Sequence, residues 1–452
     1  MHRHIAASSI SAMLEREKAL YIQRNPESKR LADAASANWL RGVPMHWMVD
    51  WGTPFPLFVK EAQGATLTDA DNNQYADFCL GDTGAMFGHS PPEVAEVLAR
   101  EGARGLSTMM PSPDAAIVGK LLADRFGLPL WQVTATASDA NRSVLRWCRA
   151  ITGRKKILVF SGCYHGAVDE TFVMLEDGKT VADPALIGEV RDLSQTTKVV
   201  EFNDIPALEA ALADRDVACV LAEPLLTNIG MVLVEEGFHK ALREITRRTG
   251  TLLVIDETHT MSSGPGGYTA EYGLEPDAMV LGKPIAGGIP AAVYGVSAEM
   301  GQRIGKYLET RNPGHSGIGT TLSGSRIQVA LMRAVLEAYF TKEAFAPLLT
   351  LAARLEKGIA DVIIKYNLPW HVVRVGARVE FLCCPEHPKN GTQAAKVIHQ
   401  PIDIAIHHFL LNRGVIVTPF HNMMLICPDT RQTQVDQLVQ SLESCVTGLL
   451  NG

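Results

Sequence analysis

The middle of the chain alternates between two patterns of apolar and polar residues. Between about residues 95 and 330, seven short runs rich in Val, Ile and Leu predict buried strands, and amphipathic stretches predict helices between most of them. This alternation predicts an α/β fold, with a mainly parallel seven-stranded sheet that carries helices on both faces. The predicted strands are residues 132–136, 156–160, 198–202, 218–222, 252–256, 278–281 and 291–296.

The two ends of the chain follow other patterns, and they predict a smaller α+β domain built from both chain ends. Before the sheet, residues 8–41 are helical in pattern with a break at Pro26, residues 57–80 predict a small antiparallel unit, and a helix is expected to open at residues 91–93. After residue 331, the predicted helices are 332–340, 403–413 and 432–450, and the predicted strands are 374–382 and 415–418.

Three parts are therefore expected, because 452 residues exceed one ordinary hydrophobic core. Residues 1–90 form an N-terminal helix and antiparallel segment, residues 91–330 form the large α/β domain, and residues 331–452 form the C-terminal α+β part. Two segments, 183–186 and 265–268, are predicted to be exposed linkers.

Two of the predicted strands end in polar residues that precede Gly-rich loops. Asp256 closes one strand, and Lys283 follows the next. Chemistry in open α/β sheets collects at the carboxyl ends of the strands, so both side chains are expected in one crevice. Partial desolvation of a lysine between apolar residues and glycines favours the neutral amine that forms Schiff bases. For each residue alone, a strand-end ion pair or a solvated lysine is the ordinary alternative.

The same segments carry a family resemblance. Asp256-Glu257-x-x-Thr260, followed by Leu281-Gly282-Lys283-x-x-x-Gly287-Gly288, resembles the class III aminotransferases among the fold-type I pyridoxal phosphate (PLP) enzymes. The likeness extends from about Trp51 to the C-terminus and is greatest to the branch of glutamate-1-semialdehyde aminomutases and β-amino-acid aminotransferases. It implies PLP as cofactor, Lys283 as its Schiff-base residue, and Asp256 as the group that keeps the ring nitrogen protonated.

Residues 134–141 end one predicted strand and open a helix, which suits a phosphate cradle. Thr136, Ala137 and Ser138 are the candidate contacts, and an ordinary N-cap by Thr136 or Ser138 is the alternative. The family pattern here is serine-glycine-threonine-glutamate-alanine-asparagine, from which this chain departs at its first four positions. Ala137 replaces the glycine, so a somewhat altered cradle is expected.

Further contacts to the cofactor follow from the resemblance. Tyr164, in a match to the family's tyrosine-histidine-glycine, is expected to stack on the pyridine ring, and Glu223 to lie close to it. Thr258 stands where relatives have an apolar residue, and its hydroxyl is expected to bond either the cofactor or its own backbone. His259 is either a satisfied histidine behind the site or a base.

Thr320 and Thr321 match the family's glycine-threonine-phenylalanine segment, Thr321 aligning best if Leu322 takes the place of the phenylalanine. In relatives this threonine reaches the phosphate bound by the neighbouring subunit. The resemblance therefore implies a homodimer with shared active sites.

The candidates for substrate contact are fewer. His46 and Trp47 lie in an aromatic, proline-rich segment (residues 42–60) that is either a wrapped connector or a loop lining the substrate pocket. Arg378 is expected either to meet a substrate anion or to form a surface salt bridge, and Arg326 has the same two alternatives.

Composition and charge bear on the partners and the location of the protein. The net charge of -7 gives no footprint for nucleic acid, and no apolar run reaches the roughly 18 residues of a membrane-spanning helix. The first residues lack a signal-peptide core, and eight scattered cysteines are typical of reduced thiols, so the cytoplasm is expected. No Cys and His spacing resembles a metal site.

These observations predict a PLP-dependent aminotransferase that moves an amino group between a small, anionic amino acid and a 2-oxo acid. An ammonia-lyase, an aminomutase or a racemase on the same fold is the alternative, because such enzymes would share every cofactor residue named above. A nucleotide-binding protein is disfavoured, since no glycine-rich nucleotide loop follows the first strand.

Overall fold

The computed structural model describes residues 4–312 and 316–451. The chain divides into two compact units. The large unit comprises Pro92–Phe345 and Pro388–Lys396, and the small unit comprises Met1–Pro91, Ala346–His387 and Val397–Gly452. No helix in the part of the chain that the structure describes is both long and apolar enough to span a bilayer.

The α-helices, numbered in chain order, are α1 (Ala7–Arg24), α2 (Pro26–Ala35), α3 (Pro92–Gly102), α4 (Asp114–Phe126), α5 (Ala137–Thr152), α6 (Ile205–Leu212), α7 (Phe238–Thr249), α8 (Gly267–Tyr272), α9 (Ala298–Glu309), α10 (Arg326–Ala338), α11 (Lys342–Tyr366), α12 (Gly391–Val397), α13 (Gln400–Leu411) and α14 (Gln432–Asn451).

The strands are β1 (Val59–Gln63), β2 (Thr66–Asp69), β3 (Gln74–Asp77), β4 (Leu130–Thr134), β5 (Lys156–Phe160), β6 (Val173–Glu176), β7 (Lys179–Ala182), β8 (Thr197–Val200), β9 (Val217–Ala222), β10 (Leu252–Asp256), β11 (Ala278–Leu281), β12 (Ala292–Val296), β13 (His371–Val375), β14 (Arg378–Leu382), β15 (Val415–Ile416) and β16 (Met423–Leu425).

The large unit is built on a seven-stranded sheet in the order β4-β12-β11-β10-β9-β5-β8. Only β12 runs antiparallel to its neighbours among these described strands, so the prediction of a mainly parallel seven-stranded sheet is confirmed. Strands β9 to β12 are buried along their whole length, which explains their continuous apolar sequences. Separate apolar clusters, one of them including α5 and the other α7, fill the core around the sheet.

One strand ends earlier than predicted because its last predicted residues lead into the start of the following helix. The strand predicted at residues 132–136 is β4, which ends at Thr134 because Thr136 already caps α5. The exposed linker predicted at residues 265–268 is wrong. There α8 begins, and the backbone N–H of Tyr268 donates to the buried carboxylate of Glu257 at 2.8 Å.

The small unit joins the two ends of the chain. The short β15 pairs in parallel with β3, so an N-terminal and a C-terminal segment share the sheet β1-β2-β3-β15. This confirms that the smaller α+β part comes from both chain ends. The run predicted as one strand at residues 374–382 is instead the hairpin of β13 and β14, because Gly376 adopts a left-handed turn with φ of 60°.

Candidate active site

The candidate site lies at the carboxyl edge of the large sheet. Strands β10 and β11 are parallel neighbours, with Asp256 paired to Val280, so Asp256 and Lys283 leave the sheet at the same edge. Strands β4, β5 and β9 point the same way, and their following segments bring α5, the loop at residues 162–166 and Glu223 to that edge. The sheet thus gathers residues that lie more than 100 positions apart in the sequence.

The carboxylate of Asp256 is the centre of the hydrogen bonding. Its Oδ2 accepts from Asn141 Nδ2 at 2.8 Å and pairs with His165 Nδ1 at 2.9 Å. Its Oδ1 accepts from the backbone N–H of Thr258 at 3.1 Å and from the Thr258 hydroxyl at 2.6 Å. The hydroxyl of Thr258 is therefore directed at this carboxylate, an outcome that sequence reasoning did not include.

These contacts fix the charge of Asp256. Burial by itself raises the pKa of the carboxyl group, but the hydrogen bond and charge of His165, with the bonds from Thr258 and Asn141, lower it to about 2. Burial disfavours the His165 imidazolium, yet neighbouring Cys163 and Asp256 raise the pKa of that histidine well above its ordinary value. Asp256 is therefore a carboxylate anion at neutral pH, held by its contacts with His165, Asn141 and Thr258.

Sequence reasoning missed the two donors Asn141 and His165. Asn141 lies on the buried face of α5 and His165 in the loop after β5, and both are almost wholly inaccessible to solvent. The available signals were the family's tyrosine-histidine-glycine and alanine-asparagine matches, in which both residues stand.

Lys283 lies beyond the end of β11 in a backbone conformation that is unusual for a residue other than glycine. Its φ is 43°, and the preceding Gly282 has no room for a side chain, because a Cβ there would come within 2.8 Å of Ala137 Cβ. Such strained positions cluster at functional sites. The Nζ of Lys283 lies 2.9 Å from Nε2 of the buried His259, so the structure brings together two residues that the sequence analysis treated separately.

The start of α5 forms a tight corner with the loop after β5. Thr136 is the N-cap, and its hydroxyl accepts from the N–H of Asp139 at 3.2 Å, as the N-cap alternative predicted. The hydroxyl of Ser138 accepts from the N–H of Ala167 at 2.9 Å. Gly166, with φ of 77°, is packed so closely that a Cβ would lie 2.2 Å from Ser138 Oγ.

Glu223 follows β9 and is buried. Its carboxylate accepts from the backbone N–H of Tyr164 at 3.3 Å and of Thr227 at 3.2 Å, and burial raises the pKa of the group. Glu223 therefore positions the loop that carries Tyr164. The ring of Tyr164 is half-buried and meets Phe172 edge to face at 6.4 Å between centroids.

The substrate candidates His46, Trp47 and Arg378 belong to the small unit. His46 and Trp47 are exposed in a short 3-10 turn, where the Trp47 ring packs edge-on against Phe420 at 6.0 Å. Arg378 is 1% exposed, and its Nη2 donates to the Thr83 hydroxyl at 2.5 Å. The surface salt bridge offered as an alternative for Arg378 is wrong, because this side chain is buried.

The remaining candidates of the large unit are two exposed threonines and one half-buried arginine. Thr320 and Thr321 are exposed, and the Thr320 hydroxyl is 2.9 Å from Ser323 Oγ. Arg326 forms an ion pair with Glu101 at 2.9 Å, which is the salt-bridge alternative for that residue.

The residues at the sheet edge fit PLP. An ionised, hydrogen-bonded carboxylate suits a protonated ring nitrogen, and a lysine amine suits an aldehyde. The first N–H groups of α5 have no partner within the helix, and the missing side chains of Gly166 and Gly282 let their backbone approach Ser138 and Ala137 closely, a helix start that suits a phosphate. Among the residues described, no cluster of three or more His, Cys, Asp or Glu side chains is arranged to hold a metal ion.

Comparisons with known proteins agree with this fit. The family described as "Aminotransferase class-III" matches residues 48–446. A glutamate-1-semialdehyde 2,1-aminomutase of Thermomicrobium roseum is 29% identical over 403 residues, covering 88% of this chain and 92% of that protein. The enzyme of the same name from Akkermansia muciniphila is 32% identical, covering 80% and 85%.

Solved structures extend the likeness to the whole fold. A glutamate-1-semialdehyde aminomutase from Pseudomonas aeruginosa PAO1 is 48% identical, with a TM-score of 0.96 over 98% of this chain and 99% of that chain. A variant of the Pseudomonas enzyme was solved in complex with PMP, and the family and this likeness indicate PLP as the cofactor. The chain therefore belongs to the class III aminotransferase family of fold-type I, PLP-dependent enzymes.

Proposed function

We propose that the protein is a PLP-dependent aminomutase, which moves an amino group between neighbouring carbons of one small amino compound. The observation that carries this proposal is the likeness over 98% of the chain to an aminomutase structure, at 48% identity. The aminomutase alternative thus replaces the aminotransferase as the leading hypothesis. Glutamate-1-semialdehyde is the first substrate to test, because the curated relatives at 29–32% identity carry its name.

The residues at the sheet edge have distinct roles in this proposal. When bound, PLP supplies an electron sink for the carbon that loses a proton. Asp256, as a carboxylate, would keep the ring nitrogen protonated, and the start of α5 (Thr136, Ala137 and Ser138) would hold the phosphate. Lys283 would hold the cofactor through its amine and, when its amine is free, would take up and return the proton of a reacting substrate carbon.

Three further residues complete the proposed cofactor site. Glu223 fixes the backbone of Tyr164, which leaves the half-buried tyrosine ring to lie against the cofactor ring. The Thr258 hydroxyl already donates to Asp256 Oδ1. Because the hydroxyl hydrogen rotates about a single bond, this hydrogen bond would be the one most readily given up if Asp256 accepted from the ring N–H of the cofactor.

An aminotransferase remains the second candidate. The observation that favours it is the likeness to a β-phenylalanine aminotransferase from Variovorax paradoxus, with a TM-score of 0.86 and 25% identity over 97% of this chain and 98% of that chain. The proposed substrate contacts His46, Trp47 and Arg378 lie in the small unit. They serve either reaction, since both begin with a small amino compound, here proposed to be anionic.

Acceptor dependence separates the two reactions. An aminomutase converts glutamate-1-semialdehyde to its 1-amino isomer catalytically, with no 2-oxo acid present. An aminotransferase stops after one turnover per active site unless an oxo acid is added, and then consumes it in equal amount to the product. Product formation that requires an oxo acid, measured by chromatography of both compounds, contradicts the aminomutase proposal.

We also propose a homodimer with shared active sites. Met109 and Met110 are 81% and 73% exposed, and they line one cavity of about 800 Å³ together with Thr320 and Thr321. Large apolar side chains exposed side by side are typical of an interaction surface. A second copy of the chain at this Met109–Met110 surface would place the two threonines at the subunit contact.

A cytoplasmic location is part of the proposal. All eight cysteines are free thiols, and most are buried. Unpaired, buried thiols are typical of proteins kept in reducing compartments.

A further inference from the structure

We infer that His259 is the proton-transfer partner of Lys283, taking a proton from the lysine ammonium and returning it during covalent capture of the cofactor aldehyde. The inference rests on the proposal that Lys283 is the cofactor lysine, and it gives a role to a histidine which that proposal leaves unused. The primary observation is the distance of 2.9 Å between Lys283 Nζ and His259 Nε2.

The position of His259 is fixed by the segment that carries it. The backbone carbonyl of His259 accepts from the Ser262 hydroxyl at 3.0 Å. Two positions before His259, the buried Glu257 accepts from the Thr260 hydroxyl at 2.9 Å and from two backbone N–H groups at the start of α8. The imidazole therefore stands on a segment tied at both ends, and it is only 7% exposed.

The position of Glu257 depends on a glycine at residue 267, because the carboxylate packs directly against that residue. Gly267 has φ of 70°, and a Cβ there would lie 2.6 Å from Glu257 Oε2. The carboxylate thus fills the space that a side chain at residue 267 would need. Such tight support from surrounding residues is what holds a functional side chain within a few tenths of an ångström of its partner.

Lys283 is equally constrained. Its left-handed backbone conformation carries a cost, which persists only where the surroundings enforce it. Pro284 follows it and is buried, and Gly282 before it is packed against Ala137. The lysine and the histidine are therefore both held by their own loops, and their contact does not depend on a flexible surface side chain.

The chemistry of the pair balances without a further reactant. The ammonium of Lys283 gives one proton to Nε2 of neutral His259, and the freed lone pair attacks an aldehyde carbon to form a carbon–nitrogen bond. A second nitrogen-bound proton moves to the former carbonyl oxygen, and His259 returns its proton to the same oxygen. The carbon–oxygen bond then breaks and water leaves with two of the three ammonium hydrogens, while the third stays on nitrogen.

A histidine that only packs beside the lysine is the simpler alternative, and side-chain chemistry separates the two. Glutamine preserves a hydrogen-bonding side chain of similar reach, but its amide does not take up a proton near neutral pH. Glycine removes the side chain and leaves room for imidazole from solution. If His259 carries a proton, the rate of capture falls in His259→Gln and is recovered in His259→Gly when imidazole is added. If His259 only packs beside the lysine, glutamine largely preserves the rate.

The experiment uses full-length protein freed of cofactor and follows the capture of added PLP by stopped-flow absorbance. We expect His259→Gln to slow capture about 100-fold, the lower range for a positioned acid–base group, without loss of secondary structure by circular dichroism. Added imidazole should restore the rate of His259→Gly in proportion to its concentration. The matched control is His239→Gln, since His239 is a half-buried histidine of the same unit whose Nε2 contacts the Pro224 carbonyl, and this variant should capture PLP at the wild-type rate.

Capture by His259→Gln within about threefold of wild type, or a folded His259→Gly that imidazole does not accelerate, overturns the inference. If the glycine variant does not fold, the glutamine variant decides alone. The variant Lys283→Ala distinguishes this failure from failure of the proposed function. If Lys283→Ala still captures PLP covalently, Lys283 is not the cofactor lysine and the proposed function fails. If Lys283→Ala loses capture while the His259 variants capture PLP normally, Lys283 is still assigned as the cofactor lysine and only the role of His259 is rejected.

Discussion

The pair formed by Asp256 and His165 provides a quantitative test of how the site is built. The ordinary pKa of 3.8 for an aspartate falls to about 2 at Asp256, although burial opposes the fall. Each pKa unit corresponds to about 1.4 kcal/mol, so the surrounding donors together stabilise the carboxylate by roughly 2 kcal/mol beyond the cost of burial. His165 provides the largest favourable contribution, through its hydrogen bond and its charge.

A double-mutant cycle measures this contribution. The variants are His165→Phe, Asp256→Asn and the double variant, each compared with wild type by equilibrium urea unfolding of the cofactor-free protein at pH 7. We expect a coupling free energy of about 2 kcal/mol between the two side chains, since the pair is buried and charge-assisted. A coupling below about 0.5 kcal/mol, which is within the error of additivity, would show that His165 does not stabilise the Asp256 carboxylate.

The pH dependence of stability gives an independent check. The pKa of Asp256 is lowered in the fold, so its stabilising contribution is complete above the unfolded value of 3.8 and is lost as the pH falls through about 2. The pKa of His165 is raised, so its contribution is present below the unfolded value of 6.5 and is lost as the pH rises through the higher folded value. In His165→Phe, the loss of stability in acid should begin at a higher pH, and the loss of stability in alkali should disappear.

Three further sets of substitutions test other features of the structure. Thr258→Val removes a hydroxyl bond of 2.6 Å to the carboxylate and should lower the free energy of unfolding by about 1–2 kcal/mol in urea at pH 7; an unchanged midpoint contradicts that contact. Gly166→Ala should weaken PLP binding at least about tenfold in a spectral titration, because its Cβ meets a serine oxygen at 2.2 Å. Gly153→Ala, also left-handed but with nothing within 4 Å, is its control, and equal effects of the two contradict the cradle. Met109→Lys with Met110→Lys should give monomers in sedimentation velocity at concentrations where wild type is dimeric; a dimer that survives both changes places the subunit contact elsewhere.

The sequence predicted the features that depend on strand periodicity. Asp256 and Lys283 end or follow continuous apolar runs, and parallel strands bring their carboxyl ends to one edge, so their meeting followed from the pattern. The seven strands were found for the same reason. The parallel pairing of β15 with β3 confirmed that both chain ends build the smaller part.

Side-chain partners were harder to predict because they depend on loop paths. Asn141 lies 115 positions from Asp256 and His165 lies 91 positions away, and no local pattern states which nitrogen meets which oxygen. The contact of His259 with Lys283 arises in the same way, from a left-handed lysine and a segment held by Glu257. Residues 265–268 were predicted to be an exposed linker, but the backbone N–H of Tyr268 donates to the buried carboxylate of Glu257, so this segment packs inside the fold.

The most direct test of the account is to locate the residue that binds the cofactor. The purified protein is loaded with PLP, reduced with borohydride, digested and examined by peptide mass spectrometry. We expect a reduced pyridoxyl group on the peptide that contains Lys283, and no such group in Lys283→Ala. A pyridoxyl group on a different lysine, or no modified peptide at all, contradicts it.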